Sequence, residues 1–218
     1  MNAEDLINTA AALVAGNKGL LAMDESNVTC NKRFDVSGIK PTEENRRAYR
    51  ELLITTPGLS KYISGAILYD ETIRQRKEDG TAFIKVLIDE GIIPGIKVDT
   101  GTKNMPGHSG EKITEGLDGL PERLAEYRTL GASFAKWRTV ISLGAGLPSR
   151  ACIEANAHSL ALYAAYCQEA SMVPIVEPEV LMEGEHTMEQ CHQVTEQLLR
   201  AVFNQLYTQG VMLEGLIL

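Results

Sequence analysis

The sequence has 218 residues, 44% of them hydrophobic and 23% charged, which are the proportions of a folded globular chain rather than a disordered one. Lys and Arg number 21 against 29 Asp and Glu, and the net charge of −8 excludes a general nucleic-acid-binding footprint. No apolar run approaches the ~20 residues needed to cross a bilayer. The start, M-N-A-E-D-L-I-N-T-A, lacks the cationic and apolar regions of a secretory signal, so no membrane partner is expected.

In chain order, Leu6, Ile7, Ala10, Leu13 and Val14 share one helical face. A short apolar run at 20–23 reads as a strand. A helix opens at 41–44, where Thr42 can cap and Glu43 and Glu44 favour the positive dipole end. A strand at 63–69 is followed by a helix over 81–90 that Gly91 stops, and then by a strand at 92–98. Pro121 starts a helix over 121–130 and Gly131 ends it. A strand at 134–141 precedes an Ala-rich helix at 153–170, and a strand at 173–176 precedes a helix at 187–209 that ends at Gly210. A sixth strand is expected at 211–218.

This alternation predicts a parallel sheet with helices outside it. No G-x-G-x-x-G follows the first strand and no Walker A motif occurs, which disfavours a nucleotide-binding doubly wound fold. The expected fold is a (β/α)8 TIM barrel, as one domain over 1–218. Such barrels take ~250 residues and eight strands, so six strands imply that about a quarter of the domain lies outside these residues. Strand edges and apolar faces left open in that way predict a chain prone to aggregation.

The four cysteines, Cys30, Cys152, Cys167 and Cys191, form no C-x-x-C, and the histidines form no H-E-x-x-H, so no metal site is expected. Cys152, Cys167 and Cys191 read as packing residues, as does Cys30 despite its place beside charged residues. A reducing compartment is the default.

The informative feature is charge inside the strands. Asp24 and Glu25 close the first, Lys97 and Asp99 end the third, Lys136 and Arg138 flank Trp137, and Glu177 and Glu179 flank Pro178. The two-residue period puts Lys136 with Arg138 on one face and Glu177 with Glu179 on one face. Pointing inward, Lys97, Lys136 and Arg138 would nearly balance Asp24, Glu177 and Glu179. Stability alone does not call for such a set, because apolar residues of similar volume serve as well. A polar centre at the C-terminal strand ends is where barrels carry their chemistry. Close lysines depress one another's pKa, burial adds to this, and a neutral amine attacks a carbonyl to form a Schiff base. Neighbouring carboxylates then move protons, and further cations such as Lys32, Arg33 and Arg138 suit phosphate groups. The residues alone favour lysine-based carbonyl chemistry on a small phosphorylated molecule, without choosing between aldol cleavage, isomerisation and transaldol transfer. Trp137 between two inward charges is expected to pack outward against a helix.

Seven segments carry a resemblance: G-L-L-A-M-D-E-S-N-V-T-C-N-K-R (19–33), E-E-N-R-R-A-Y-R (43–50), G-I-K-V-D-T-G (95–101), G-L-D-G-L (116–120), F-A-K-W-R (134–138), V-P-I-V-E-P-E (173–179) and M-L-E-G-L-I-L (212–218). In order and spacing they resemble class I fructose-1,6-bisphosphate aldolase, and the A-M-D-E-S-N-V-T-C variant is most similar to its plastid and cyanobacterial branch. The resemblance implies a (β/α)8 barrel that needs no metal and no cofactor and commonly forms tetramers. It implies reversible cleavage of fructose 1,6-bisphosphate to dihydroxyacetone phosphate and glyceraldehyde 3-phosphate, with sedoheptulose 1,7-bisphosphate as a related substrate. By motif, Asp24 matches the acid that handles the C4 hydroxyl proton. Ser26, Thr29, Lys32 and Arg33 match the phosphate-contacting stretch, and Lys97 and Arg138 match cationic substrate positions. Lys136 matches the lysine that stabilises charge beside the Schiff base, Glu177 the acid/base that dehydrates the carbinolamine, and Glu179 the acid that tunes the lysines. In the family the Schiff-base lysine directly follows an E-G-x-x-L stretch, which is here Glu214 to Leu218. The rival expectations are another phosphosugar barrel enzyme, transaldolase-like or an isomerase, and an inactive binding protein of the same fold. The N-terminus suits a cytoplasmic protein, and plastid stroma is compatible with it.

Overall fold

The computed structural model describes residues 3–218. Helix α1 (Ala3–Leu13) precedes strand β1 (Gly19–Ala22), which leads into α2 (Asn27–Val36) and α3 (Glu43–Ile54). Then come β2 (Ile63–Leu68), the short α4 (Asp70–Arg74), α5 (Phe83–Asp89) and β3 (Ile93–Lys97). A hairpin of β4 (Gly101–Asn104) and β5 (Lys112–Glu115) precedes α6 (Leu120–Leu130), β6 (Phe134–Ile141), α7 (Arg150–Glu169), β7 (Val173–Val180) and α8 (Met188–Thr208).

Strands β1, β2, β3, β6 and β7 form one parallel sheet in that order, while β4 and β5 pair antiparallel apart from it. The parallel sheet with its outer helices is part of a (β/α)8 barrel. Thr42, Ser149 and Thr187 cap α3, α7 and α8 through their side chains, and Thr187 with Gln190 forms a reciprocal capping box.

The sixth expected strand, 211–218, is a correction. It holds a 3-10 turn (Leu213–Gly215) and a single parallel bridge from Ile217 to Ile175 of β7. The turn is bonded to Gln168 on α7. Its Nε2 donates to Met212 O and Gly215 O, and its Oε1 accepts from Met212 N. The side-chain amide thus fixes the turn, and only Ile217 pairs with β7, its N donating to Pro174 O and its O accepting from Val176 N. Two helices, α2 and α4, and the β4–β5 hairpin were not expected.

Along each strand the inner face changes character. On β6 the inward residues run Phe134, Lys136, Arg138, and on β7 Val173, Ile175, Glu177, Glu179. At the N-terminal end the inner face is apolar and closed by α1: Leu6, Ala10 and Leu13 pack with Ile67, Phe134, Val173 and Ile175. Phe134 fits because its neighbours are glycines; a Cβ at Gly95 would overlap its ring, and one at Gly65 would lie 2.6 Å from Leu13 Cδ2. The outward residues of β6 and β7 meet the helices. Trp137, fully buried, lies against Tyr163 of α7 with ring centroids 5.4 Å apart, so it packs outward onto a helix. Cys30, Cys152 and Cys167 are buried free thiols, and Cys191 is a half-buried one. Among the described residues no helix is long and apolar enough to cross a membrane.

Candidate active site

The polar half of the inner face opens into a cavity of about 390 Å³ at the C-terminal ends of the strands, lined among others by Asp24, Glu25, Ser26, Thr29, Lys97 and Lys136. Arg33 and Arg138 also reach it, with Tyr69 and Asp99. A larger depression, 690 Å³, runs along the outside of α8, but its Arg200 and Glu196 pair with each other four residues apart and converge on nothing. The chemistry points to the smaller cavity.

Lys136 is its centre. Its Nζ donates to Asp24 Oδ2 at 3.1 Å and stands 3.1 Å from Glu177 Oε2, an ionic contact off the hydrogen-bonding direction. Burial by itself lowers the lysine pKa, but the carboxylates of Asp24 and Glu177 outweigh it and leave the pKa raised. The depression expected of close lysines does not hold at Lys136, which stays an ammonium at neutral pH because the carboxylates of Asp24 and Glu177 face it. Lys97 and Lys136 are register partners on adjacent strands. The charge of Lys97 is met by Asp99, a residue with no role assigned from the sequence. Its Oδ1 pairs with Lys97 and accepts from Gly101 N at 3.1 Å, and its Oδ2 accepts from Arg138 N at 3.3 Å. One carboxylate thus ties β3, β4 and β6 together, and Lys97 Nζ also donates to Asp99 O at 3.0 Å. The signal for Asp99 was its spacing, two positions after Lys97 on the same face.

Arg138 pairs through Nε with Glu179, which raises its pKa. Glu179 sits on this arginine rather than on a lysine. The turn after β1 carries Asp24 and Glu25 into α2, whose N-cap Ser26 accepts from Thr29 N. Helix α2 has no apolar stripe of its own. It meets α3 where Arg46 Nη1 donates to Asn31 Oδ1 at 2.9 Å and the buried Phe34 ring lies edge-on to Tyr49; just before α2, Arg50, 2% exposed, reaches both Glu25 Oε2 and Glu25 O, and Arg46 also binds Glu71 of α4 through two 2.7 Å bonds. These arginines lie in the E-E-N-R-R-A-Y-R segment, in which the sequence assigned no function. Arg33 pairs with Glu25 at the pocket, whereas Lys32 is exposed on α2 and does not line it. Burial pushes the Tyr69 hydroxyl pKa up, with Asp70, Glu71 and Asp99 adding to it. Burial likewise pushes the Cys30 thiol up, which suits packing rather than reactivity.

The constellation is a cationic ammonium between two carboxylates, ringed by further cations. It can bind an anionic ester and move protons. Each carboxylate of the cavity faces a cation, and among the described residues no three His, Cys, Asp or Glu side chains converge as metal ligands.

A family model described as fructose-bisphosphate aldolase class-I matches residues 5–218. A Xanthomonas campestris protein described as "Probable fructose-bisphosphate aldolase class 1" is 62% identical over all of this chain and 65% of its own length. The chloroplastic fructose-bisphosphate aldolase 1 of Chlamydomonas reinhardtii is 50% identical over 99% of this chain and 57% of its own. A solved structure of fructose-bisphosphate aldolase from Plasmodium falciparum superposes with a TM-score of 0.96 at 50% identity, covering 98% of this chain and 62% of that one. The chain thus spans less than two thirds of the length of these relatives. The match runs through the strands that carry Asp24, Lys97, Lys136, Arg138, Glu177 and Glu179, and the chain belongs to the class I fructose-bisphosphate aldolase family.

Proposed function

We propose that the protein is a lyase that reversibly cleaves fructose 1,6-bisphosphate to dihydroxyacetone phosphate and glyceraldehyde 3-phosphate through a lysine Schiff base, without a metal or cofactor. The single observation that carries this reading is Lys136 held between Asp24, which lines the cavity ringed by cations, and Glu177, which lines the adjoining 470 Å³ depression.

Lys136, held as an ammonium, is the electrostatic partner of the reaction and not its nucleophile. The nucleophile is the lysine that the family places directly after the E-G-x-x-L stretch. Ile217 bridges to Ile175 on the inner face of β7, and parallel register then aligns the next inward position with Glu177. Leu218 already shares a 470 Å³ depression with Lys136 and Glu177. An amine there attacks the C2 carbonyl. Glu177 gives a proton to the carbinolamine hydroxyl, which leaves as water and forms the iminium. Asp24 takes the C4 hydroxyl proton as the C3–C4 bond breaks, with its electron pair drawn into the iminium. Glyceraldehyde 3-phosphate leaves, the enamine is protonated at C3, and water releases dihydroxyacetone phosphate. Lys136 stabilises the carboxylate forms of Asp24 and Glu177 between proton transfers. Lys97, Arg138 and Arg33, with Ser26 and Thr29 at the start of α2, hold the phosphate groups. Lys32, which is exposed, serves at most to attract the anion.

The 218 residues then form part of one barrel domain, in a protein that works as a homo-tetramer. The four free thiols suit a reducing compartment, the cytoplasm or a plastid stroma. The test is intact-mass analysis of the full-length protein after incubation with dihydroxyacetone phosphate and borohydride. One reduced adduct per chain supports the reading. A folded protein with no adduct sinks the Schiff base and favours an isomerase or a binding protein of this fold.

A further inference from the structure

Each cation that faces the cavity is already committed to a carboxylate. Arg33 is on Glu25, Lys97 on Asp99, Lys136 on Asp24 and Glu177, and Arg138 on Glu179. A phosphate group entering this cavity must draw a cation away from its present partner, and the cost depends on what the abandoned carboxylate keeps.

The pairs differ in that respect. Glu25 gives up Arg33 cheaply, because the buried Arg50 still holds it. Asp99, with a side chain 4% exposed, stays bound to the backbone N–H groups of Gly101 and Arg138, and its lysine is locked twice to the same residue. Lys136 is shared by two carboxylates deep in the cluster. Only at Arg138 do the two partners stand alone and within reach of water. The arginine side chain is 41% exposed and the Glu179 side chain 33%, and among the described residues Glu179 makes no other hydrogen bond or ion pair. This guanidinium is bound through Nε, and its outer nitrogens remain for an incoming anion.

We propose that Glu179 is a displaceable internal counterion of Arg138: it occupies the guanidinium in the empty cavity and yields it to a phosphate group of the ligand. Glu179 thereby competes with substrate and sets the affinity of the cavity, rather than tuning a lysine. This rests on the reading of the cavity as a phosphosugar site. An arginine that is always free would bind phosphate more tightly but would hold a charged product longer. A partly exposed ion pair of this kind holds its arginine weakly enough for an anion to displace it.

The experiment is calorimetric titration of the full-length protein with fructose 1,6-bisphosphate and, separately, inorganic sulfate, a phosphate-shaped dianion. Wild type, Glu179→Gln, Arg138→Met and the double variant are compared, with Glu179→Ala run in parallel. Glu179→Gln and Glu179→Ala are expected to bind both anions about fivefold more tightly. In the Arg138→Met background the change at Glu179 is expected to give no gain, which a general loss of negative charge would not reproduce. Equal or weaker binding by both Glu179 variants, or an undiminished gain without Arg138, overturns the counterion. Wild-type protein that binds neither anion overturns the phosphosugar reading together with it.

Discussion

Asp24 and Lys136 are 112 positions apart in the chain, yet Lys136 Nζ donates to Asp24 Oδ2 at 3.1 Å. The first strand delivers the carboxylate and the sixth the ammonium, and the curl of the sheet brings them across the barrel interior. Asp24 therefore has a fixed direction and a ready counter-charge, the conditions a general base needs. Asp24→Asn keeps the shape and removes the base. Its kcat for fructose 1,6-bisphosphate cleavage is expected to fall by about 10²–10⁴, with KM changed far less, in steady-state assays of the full-length protein. A fall below tenfold would remove Asp24 from the proton path.

The raised pKa of Lys136 makes a stability prediction with a definite sign. A lysine whose folded-state pKa lies above its unfolded value contributes fully below the unfolded value and loses its contribution as pH rises through the folded one. Lys136→Met also leaves Asp24 and Glu177 facing each other without a cation. The advantage of wild type over this variant in urea denaturation is expected to be constant from pH 7 to 9 and to shrink above about pH 10–11. An advantage that already shrinks between pH 7 and 9 would mean that the ammonium is not held by its carboxylates.

Gly95 is demanded by the Phe134 ring, which occupies the space of its missing side chain. Gly95→Ala is expected to destabilise the fold by about 1–3 kcal/mol through overpacking, measured as a shift of the urea midpoint at unchanged slope. Shortening the ring with Phe134→Leu in the same chain is expected to recover part of the loss. Additive losses in the double variant would show that the two residues do not share that space.

Gln168 holds the turn that follows α8. Gln168→Leu keeps the volume and removes all three hydrogen bonds to Met212 and Gly215. The Met212 amide, which donates to Gln168 Oε1, is expected to lose hydrogen-exchange protection, with a stability cost of about 1–3 kcal/mol for the unpaired backbone groups. Unchanged protection at Met212 would assign the turn to local backbone preference instead.

Five strands and six helices were legible from periodicity, because hydrophobic burial on both faces of a parallel strand writes a short run of Val, Ile and Leu into the chain. Helix α2 was not, because N-V-T-C-N-K-R-F-D-V buries only Cys30 and Phe34, and it meets α3 through Phe34 on Tyr49 and the Arg46 bond to Asn31. The hairpin G-T-K-N to K-I-T-E was hidden for a related reason: its residues are mostly polar, and its place is secured by Asp99 at one end and by Glu111 at the other. Glu111, buried, accepts from Ser149 N and Oγ at the head of α7. The run at 211–218 reads as a strand because apolar content cannot distinguish a strand from a turn, here one with Leu213 exposed and its carbonyls met by a side-chain amide.

Read along the chain, local chemistry settles which residues share a face, since the two-residue period places Lys136 with Arg138 and Glu177 with Glu179 on the same side of their strands. It also settles that such charges need partners, because an unpaired buried charge costs several kcal/mol. Which charge meets which is a property of the curled sheet. Lys136 lies between Asp24 and Glu177, Lys97 folds onto Asp99, and Arg138 takes Glu179, because the stagger of neighbouring strands sets the height of each side chain. Coulomb attraction and hydrogen-bond direction act over a few ångströms, and only the folded barrel brings residues a hundred positions apart within that range.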